Sequence, residues 1–285
     1  MEYIKSPLNY TGGKYKLLPQ IIPEFPNNIN TFVDVFGGGF NVGINVNSDK
    51  VIYNDIITPL ADLMVAFKEN NINDILEYID TTIKEFDLSK TNKEAFYNFR
   101  NYYNYESDNV LDLFVLSCFC FNHSIRFNNG IFNQAAGTNR SHYTKNIKNN
   151  LIRFKDKIDN MNLTILNKSF KELNYNNDSF YYFDPPYILT DAAYVKYWNE
   201  LSENRLLNIL SENNFQFALS NVIEYDGKTN DLLKKAVDKN NWNVIPIESD
   251  YSNSGYQKKK RVQNNEVLIT NYKKPTIQKG LDKWR

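Results

Sequence analysis

This sequence contains few cysteines and histidines, and it carries no net charge. The 285 residues include two cysteines and two histidines, and 33 basic side chains balance 33 acidic ones. Cys118 and Cys120 lie two positions apart in an apolar run, a spacing that suits neither a zinc site nor a disulfide. We therefore expect two buried thiols, and no metal site around His123 or His142. The zero net charge excludes a uniformly basic nucleic-acid-binding protein, whereas a basic face balanced elsewhere stays open.

Long apolar runs are missing as well. The N-terminus lacks the apolar stretch and small-residue cleavage site of a signal peptide, and no run reaches the roughly 18 apolar residues of a membrane span. Hydrophobic residues nevertheless make up 42% of the chain and charged residues 23%, which is enough to build a core. The sequence therefore predicts a soluble, cytoplasmic protein with no membrane partner.

Strand-like and helix-like patterns alternate along the chain. Short apolar stretches predict strands at residues 31–36, 51–54, 163–165, 179–183, 215–220, 242–247 and 266–272. Helical spacing predicts helices at residues 15–22, 145–158, 202–213 and 228–240, and a helical series over residues 59–122. The polar, aperiodic residues 123–144 predict a functional loop region. This order predicts an α/β sheet that carries an inserted lobe.

A glycine-rich turn follows the first predicted strand. The sequence FVDVFGGGF predicts a strand, a tight turn at Gly37–Gly39 and a helix whose N-terminus offers free N–H groups. Asp55 ends the next strand, where an acid can accept hydrogen bonds from ribose hydroxyls. The dinucleotide fingerprint fails at Val42, and TGGK is not a phosphate-binding loop. The sequence therefore fits a nucleoside-bearing ligand without a pyrophosphate better than a dinucleotide. The alternative is that the glycine turn is needed only for packing of the sheet.

The segment FDPPY at residues 183–187 combines a carboxylate, two prolines and an aromatic ring. Pro185 and Pro186 end an apolar strand in a stiff, extended turn, at the sheet edge where α/β proteins bind ligands. Asp184 and the Pro185 carbonyl can both accept N–H bonds from a planar exocyclic amine, which localises its nitrogen lone pair, and Tyr187 can stack on the attached ring. The alternative is an ordinary end of a strand with a surface Asp and Tyr. The glycine turn and the acid after the second strand argue against this alternative.

Together these motifs resemble the Dam family of DNA adenine-N6 methyltransferases, which use S-adenosylmethionine. The resemblance covers most of the chain, through NYTGGKYKLLPQI at 9–21, FVDVFGGGFNVG at 32–43, VIYNDI at 51–56, FDPPY at 183–187, FALSN at 217–221 and EVLITNY at 266–272. It implies a Rossmann-like class I methyltransferase sheet formed by residues 1–58 and 164–285. Residues 59–163 would then be an inserted helical and loop-rich DNA-recognition lobe.

The resemblance also implies roles for individual residues. The catalytic element is Asp184, Pro185, Pro186 and Tyr187, which would hold an adenine flipped out of the duplex. The implied cofactor contacts are Tyr10, Lys14, Phe36, Gly37, Gly39, Asp55 and Asp184. S-adenosylmethionine is the expected methyl donor and S-adenosylhomocysteine the product, with no metal. Phe40 departs from the small residue that many family members carry after the glycines.

The segment FNHSIRFNNGIFN at residues 121–133 resembles the family's hairpin that enters the major groove. The implied DNA contacts are Asn122, Arg126, Asn128, Asn133 and Arg140. Arg126 can donate two hydrogen bonds to guanine, and the resemblance makes GATC the expected target. The basic helix at 145–157 and the run Lys258–Arg261 are candidate phosphate contacts, with a solvated surface as the alternative for each.

Three other functions compete with adenine methylation of double-stranded DNA. Methyltransferases of RNA or protein glutamine usually carry NPPY, and cytosine-N4 enzymes usually carry SPPY, whereas position 184 is aspartate. A catalytically silent DNA-binding protein on the same fold is disfavoured by the intact motif.

A cognate restriction endonuclease is a candidate companion in the same system, and the sequence implies no stable protein partner.

Overall fold

An eight-stranded, mostly parallel sheet forms the centre of the molecule. The computed structural model describes residues 2–138, 140–189, 198–248 and 264–273. The strands are β1 (Thr31–Asp34), β2 (Lys50–Asn54), β3 (Phe127–Asn128), β4 (Ile131–Phe132), β5 (Leu163–Leu166), β6 (Ser179–Phe183), β7 (Gln216–Tyr225), β8 (Lys228–Thr229), β9 (Asn243–Pro246) and β10 (Asn264–Thr270).

The sheet follows the order β5–β2–β1–β6–β7–β10–β9, with β8 paired to β7, and β3 and β4 form a separate hairpin. The first five strands in that order are mutually parallel, and β10 runs antiparallel to both of its neighbours. The predicted α/β class with a Rossmann-like sheet is therefore confirmed. Parallel strands β1 and β6 lie side by side, so the residues that follow them meet at one edge of the sheet.

The described residues contain eight α-helices. They are α1 (Leu18–Ile21), α2 (Thr58–Glu69), α3 (Ile72–Glu85), α4 (Lys93–Tyr105), α5 (Leu111–Phe119), α6 (Lys145–Asp159), α7 (Glu200–Glu212) and α8 (Asp231–Asn240). Asparagine begins four of these helices, because the side chains of Asn71, Asn92, Asn199 and Asn230 each accept a backbone N–H of the first turn. Within the described residues, none of the helices combines the length and apolarity needed to cross a membrane.

Three predicted helices differ from the structure. Residues 15–22 form only one turn of α-helix between two 3-10 turns, with Pro19 near its start, where a missing N–H costs little. The helix predicted after the glycines is present only as a single 3-10 turn, Gly43–Asn45, and Phe40 before it has a φ of 61°, outside the helical region. Asp34 Oδ2 accepts the Gly43 N–H at 3.1 Å, at the start of this turn. The helix predicted from residue 228 begins at Asp231, because β8 precedes it.

One hydrophobic core connects the sheet with the helices α2–α6. Phe40, next to the glycine turn, packs edge-on against Phe154 of α6, with ring centroids 6.3 Å apart. Phe154 meets Phe67 of α2, which in turn meets Phe114 of α5. Residues 59–163 thus pack directly on the sheet, and their function as a recognition lobe stays a prediction. Cys118 and Cys120 are buried free thiols, as predicted.

Candidate functional site

A pocket lies at the carboxyl ends of β1 and β6. Its walls are residues 10–14, Asp34, residues 36–42, Tyr182 and Asp184. This is the sheet edge at which open α/β proteins bind ligands. The pocket brings together six residues predicted to bind a cofactor, namely Tyr10, Lys14, Phe36, Gly37, Gly39 and Asp184.

The glycine turn forms one wall of this pocket and must be made of glycine. A Cβ atom on Gly37 would lie 2.3 Å from the ring of Tyr53, which is fully buried. Gly38 has a φ of +48° and a Cβ there would lie 2.9 Å from the Tyr10 ring. The Tyr53 hydroxyl donates a hydrogen bond of 3.0 Å to the Gly38 carbonyl, which fixes the turn. The turn thus presents bare backbone to a ligand.

Asp55 binds the backbone of the glycine turn and is not one of the residues that line the pocket. Its two carboxylate oxygens accept the N–H groups of Gly38 and Ile57, each at 2.8 Å. Burial raises the pKa of Asp55 to about 6, although these backbone hydrogen bonds oppose the rise. The predicted contact with ribose hydroxyls therefore stays a prediction. The next residue, Ile56, is 63% exposed and is not among the residues that line the pocket.

Asp184 takes part in a buried network at the opposite wall of the pocket. The Lys14 ammonium lies 2.8 Å from Asp184 Oδ2 and 3.8 Å from Glu266 Oε1, and it donates to the Gly12 carbonyl. The Tyr187 hydroxyl is 2.9 Å from Asp184 Oδ1 and 3.2 Å from Glu266 Oε1. Burial raises the pKa of Asp184, and the Lys14 ammonium opposes the rise. The structure thus links the predicted residues Lys14, Asp184 and Tyr187 directly.

Asp34 and Glu266 are site residues that the sequence interpretation missed. Asp34 ends β1 and lines the pocket, and burial raises the pKa of its carboxyl to about 8. Asp34 was missed because the strand was predicted to run to residue 36, which placed Asp34 inside it, whereas the observed strand ends at Asp34. Glu266 had no comparable signal, since it lies within a strand 79 residues beyond Tyr187.

The hairpin β3–β4 carries three of the predicted DNA contacts. Arg126 and Asn128 are exposed, and the Asn133 N–H donates to the Arg126 carbonyl at 3.1 Å. Among the described residues, the buried atoms Asn133 Oδ1 and His123 Nδ1 have no hydrogen-bond partner. The exposed Arg140 follows outside the hairpin.

Asn122, the fifth predicted DNA contact, lies just before the hairpin in a segment with an unusual backbone conformation. Asn122 and the following His123 have φ angles of 56° and 55°, in the left-handed region that non-glycine residues rarely adopt. Such strain persists only where the surrounding structure enforces it, and it concentrates at functional sites.

The basic helix α6 does not present one row of free cations. Lys155 is buried and paired with Asp159, so its prediction as a phosphate contact is wrong. Lys148 and Arg153 form ion pairs with Asp80 and Glu2. The second basic run, Lys258–Arg261, lies outside the described residues. Within the described residues, no cluster of three His, Cys, Asp or Glu side chains is arranged to hold a metal ion.

Comparison with known proteins gives matches along nearly the whole chain. A family profile described as D12 class N6 adenine-specific DNA methyltransferase matches residues 10–253. The chain is 46% identical to modification methylase StsI of Streptococcus sanguinis, over 97% of this chain and 44% of that protein. It is 42% identical to type II methyltransferase M.FokI of Planomicrobium okeanokoites, over 95% of this chain and 43% of that protein.

A third relative matches along its full length. The chain is 28% identical to type II methyltransferase M.MjaIII of Methanocaldococcus jannaschii, over 94% of this chain and 99% of that protein. The chain therefore spans less than half the length of StsI and M.FokI, and nearly all of M.MjaIII.

Proposed function

The chain belongs to the D12 class N6 adenine-specific DNA methyltransferase family, and we propose that it transfers the methyl group of S-adenosylmethionine to adenine N6 in double-stranded DNA. One observation carries this proposal. The glycine turn and the Asp184 carboxylate are walls of the same pocket, so a cofactor cradled by the turn lies against the group that would hold the target amine.

The pocket residues fit S-adenosylmethionine chemically. Asp34 and Asp184 place two carboxyl groups against a ligand that carries a sulfonium and an ammonium, and opposite charges favour the ionised carboxylates. Gly37 and Gly39 line the pocket and allow a ligand to approach the backbone closely. We assign cofactor contacts to these residues together with Tyr10, Lys14 and Phe36, and we keep Asp55 as a ribose contact.

S-adenosylmethionine, when bound, supplies a methyl group that is attached to a positively charged sulfur. Asp184 and the Pro185 carbonyl accept hydrogen bonds from the adenine amino group, which directs the nitrogen lone pair toward that carbon. Asp184 would accept the proton that the amine loses on methyl transfer, with S-adenosylhomocysteine as the leaving group. Pro186 keeps the turn extended, and Tyr187 stacks on the base. Positioning and electrostatics thus supply the rate enhancement.

The hairpin β3–β4 is the proposed sequence-reading element. Arg126, Asn128, Asn133, Asn122 and Arg140 are its proposed DNA contacts, with Arg126 suited to guanine. The target adenine must leave the duplex to reach Asp184. The comparisons do not support GATC, because the relatives of higher identity are named as type II modification methylases. We therefore propose a short duplex target, with GATC as one sequence to test.

The relatives' names also suggest a setting for this activity. StsI and LlaI are named as modification methylases, and M.FokI as a type II methyltransferase. We propose that the chain works in the bacterial or phage-infected cytoplasm, in a system with a cognate restriction endonuclease.

Single-molecule sequencing of DNA from a host that lacks adenine methylation and expresses the chain tests this function. We expect N6-methyladenine at one short motif, and none when Asp184→Ala is expressed instead. Digestion with a GATC-cutting enzyme that adenine methylation blocks tests that particular target. Calorimetry with S-adenosylmethionine separates the rivals. A folded chain that binds the cofactor but methylates no DNA adenine would be an RNA or protein methyltransferase, and one that binds DNA alone would be a silent binder.

A further inference from the structure

Glu266 is a buried carboxylate that reaches the catalytic element from another part of the sheet. It lies on β10, which pairs with β7, and is 2% exposed. Its Oε1 atom is 3.2 Å from the Tyr187 hydroxyl and 3.8 Å from the Lys14 ammonium. Both of these groups also contact Asp184, at 2.9 Å and 2.8 Å. Glu266 and Asp184 therefore share the same two donors.

The shared donors matter because, in the proposed reaction, Asp184 must also accept a hydrogen bond from the adenine amino group. In the structure, Tyr187 contacts one oxygen of Asp184 and Lys14 contacts the other. An adenine amino group that binds Asp184 must compete with these contacts. The Tyr187 hydroxyl carries a single proton, so it can donate fully to either Asp184 or Glu266 but not to both. The half-buried Tyr187 hydroxyl would lose a hydrogen bond if Asp184 turned away, and Glu266 is already within reach as a replacement acceptor.

We propose that Glu266 is a positioning residue, which takes the Tyr187 hydroxyl and the Lys14 ammonium when Asp184 turns to the target amine. This inference rests on the proposed function. Glu266 touches neither the base nor the cofactor in this arrangement, and it acts by freeing Asp184 and by fixing Tyr187 from the hydroxyl end. The Tyr187 ring is then held at the catalytic turn with its face available for stacking.

The test measures methyl transfer to unmethylated plasmid DNA by the full chain. Glu266→Gln keeps the size and one acceptor oxygen but removes the charge, and Glu266→Ala removes the acceptor. We expect kcat to fall about 10-fold for Gln and about 100-fold for Ala, with the Kd for S-adenosylmethionine within about threefold of wild type. Thr270→Val is the matched control, because Thr270 is a buried residue on the same strand outside the site, and it should leave kcat unchanged.

A double variant separates positioning from general packing. Tyr187→Phe lacks the hydroxyl that Glu266 holds, so adding Glu266→Gln to it should lower kcat by less than about threefold. Glu266→Asp keeps the charge but shortens the reach of the carboxylate toward both Tyr187 and Lys14, so it should also lower kcat, and it provides a second variant if Gln does not fold.

Three results would overturn the inference. Wild-type kcat in folded Glu266→Gln or Glu266→Asp would overturn the inference but not the proposed function, and so would multiplicative losses of kcat in the double variant. A wild-type chain that methylates no adenine would overturn the proposed function and this inference with it.

Discussion

The side chain of Asn9 donates a hydrogen bond of 2.6 Å to the backbone carbonyl of Asn122, which lies 113 residues further along the chain. Asn9 also forms a parallel bridge with Ser124. The next residue, Tyr10, packs against the glycine turn, where a Cβ on Gly38 would lie 2.9 Å from its ring. One short segment therefore connects the base of the proposed DNA-reading hairpin with the cofactor pocket.

Removing the Asn9 amide should weaken DNA binding more than cofactor binding. Asn9→Ala deletes the hydrogen bond that restrains Asn122 in its strained conformation, so the hairpin loses part of its preorganisation. We expect the Kd for plasmid DNA to rise about 2- to 10-fold, the range for a single hydrogen bond, and the Kd for S-adenosylmethionine to stay constant. Asn9→Asp, which also lacks the donor, should match Asn9→Ala. Unchanged DNA affinity in both variants would show that this contact does not restrain the hairpin.

Arg126→Ala should relax sequence discrimination. The side chain is exposed at the start of β3, and a bidentate contact with guanine is worth about 1–3 kcal/mol of discrimination. Sequencing of methylated DNA should therefore show adenines methylated outside the wild-type motif. Arg205→Ala, which removes an exposed arginine on α7, is the control and should keep the motif. If the Arg126 variant methylates the same motif with the same selectivity, another residue reads the sequence.

Asp184→Ala should abolish methyl transfer but preserve DNA binding. The variant removes the proposed acceptor for the adenine amine and leaves Lys14 buried with a lost partner, so we also expect a free energy of unfolding lower by about 3 kcal/mol. Transfer of radioactive methyl to plasmid DNA and urea unfolding measure the two effects. Asp178→Ala, at the exposed entrance to the same strand, should change neither. Substantial turnover by Asp184→Ala would refute the assigned role.

Asp34 should make the free chain less stable as pH rises toward 8. Its folded-state pKa of about 8 exceeds the usual value of 3.8, so the folded state holds a proton that the unfolded state has released. The free energy of unfolding then falls with increasing pH, by up to about 1.4 kcal/mol per pH unit for one proton. Asp55 adds the same trend only up to its pKa of about 6. Between pH 6 and 8 Asp34 should therefore contribute to the slope, together with any contribution from Asp184, whose pKa burial also raises.

Urea unfolding of Asp34→Asn across that interval checks this expectation. The asparagine oxygen can still accept the Gly43 N–H, while the titrating proton is gone, so the slope should become smaller. Asp156→Asn on the exposed side of α6 is the control and should keep the wild-type slope. An unaltered slope in Asp34→Asn would assign the proton uptake to another group.

Local sequence signals predicted most of the sheet. Strand β6 was predicted with both ends as observed, because a polar turn precedes it and two prolines soon follow it. Strand β7 extends to Tyr225, five residues beyond the prediction, because its end pairs with β8 and β10, which no local pattern shows. The strand ends in turn placed Asp184 and the glycines at one edge of the sheet.

Features that depend on distant side chains could not be predicted in this way. The helix expected after the glycines is reduced to a 3-10 turn, because Phe40 adopts a φ of 61°, which an α-helix does not accommodate. Lys155 looked like one more surface lysine, yet it is buried on α6. Glu266 reaches Tyr187 only through the pairing of β10 with the sheet. Each of these outcomes is decided by tertiary packing, which outweighs local propensity.

Phe40 also bears on how the target sequence of such an enzyme can change. Its ring packs between Tyr53 of the sheet and Phe154 of α6. The same ring occupies the space that a Cβ atom on residue 43 would need, so that position requires glycine. Exchanging residues 59–163 for those of a relative would replace Phe154 in the packing around the ring of Phe40, a residue that lines the pocket. Substitutions in the exposed hairpin β3–β4, the proposed sequence-reading element, would leave that packing intact.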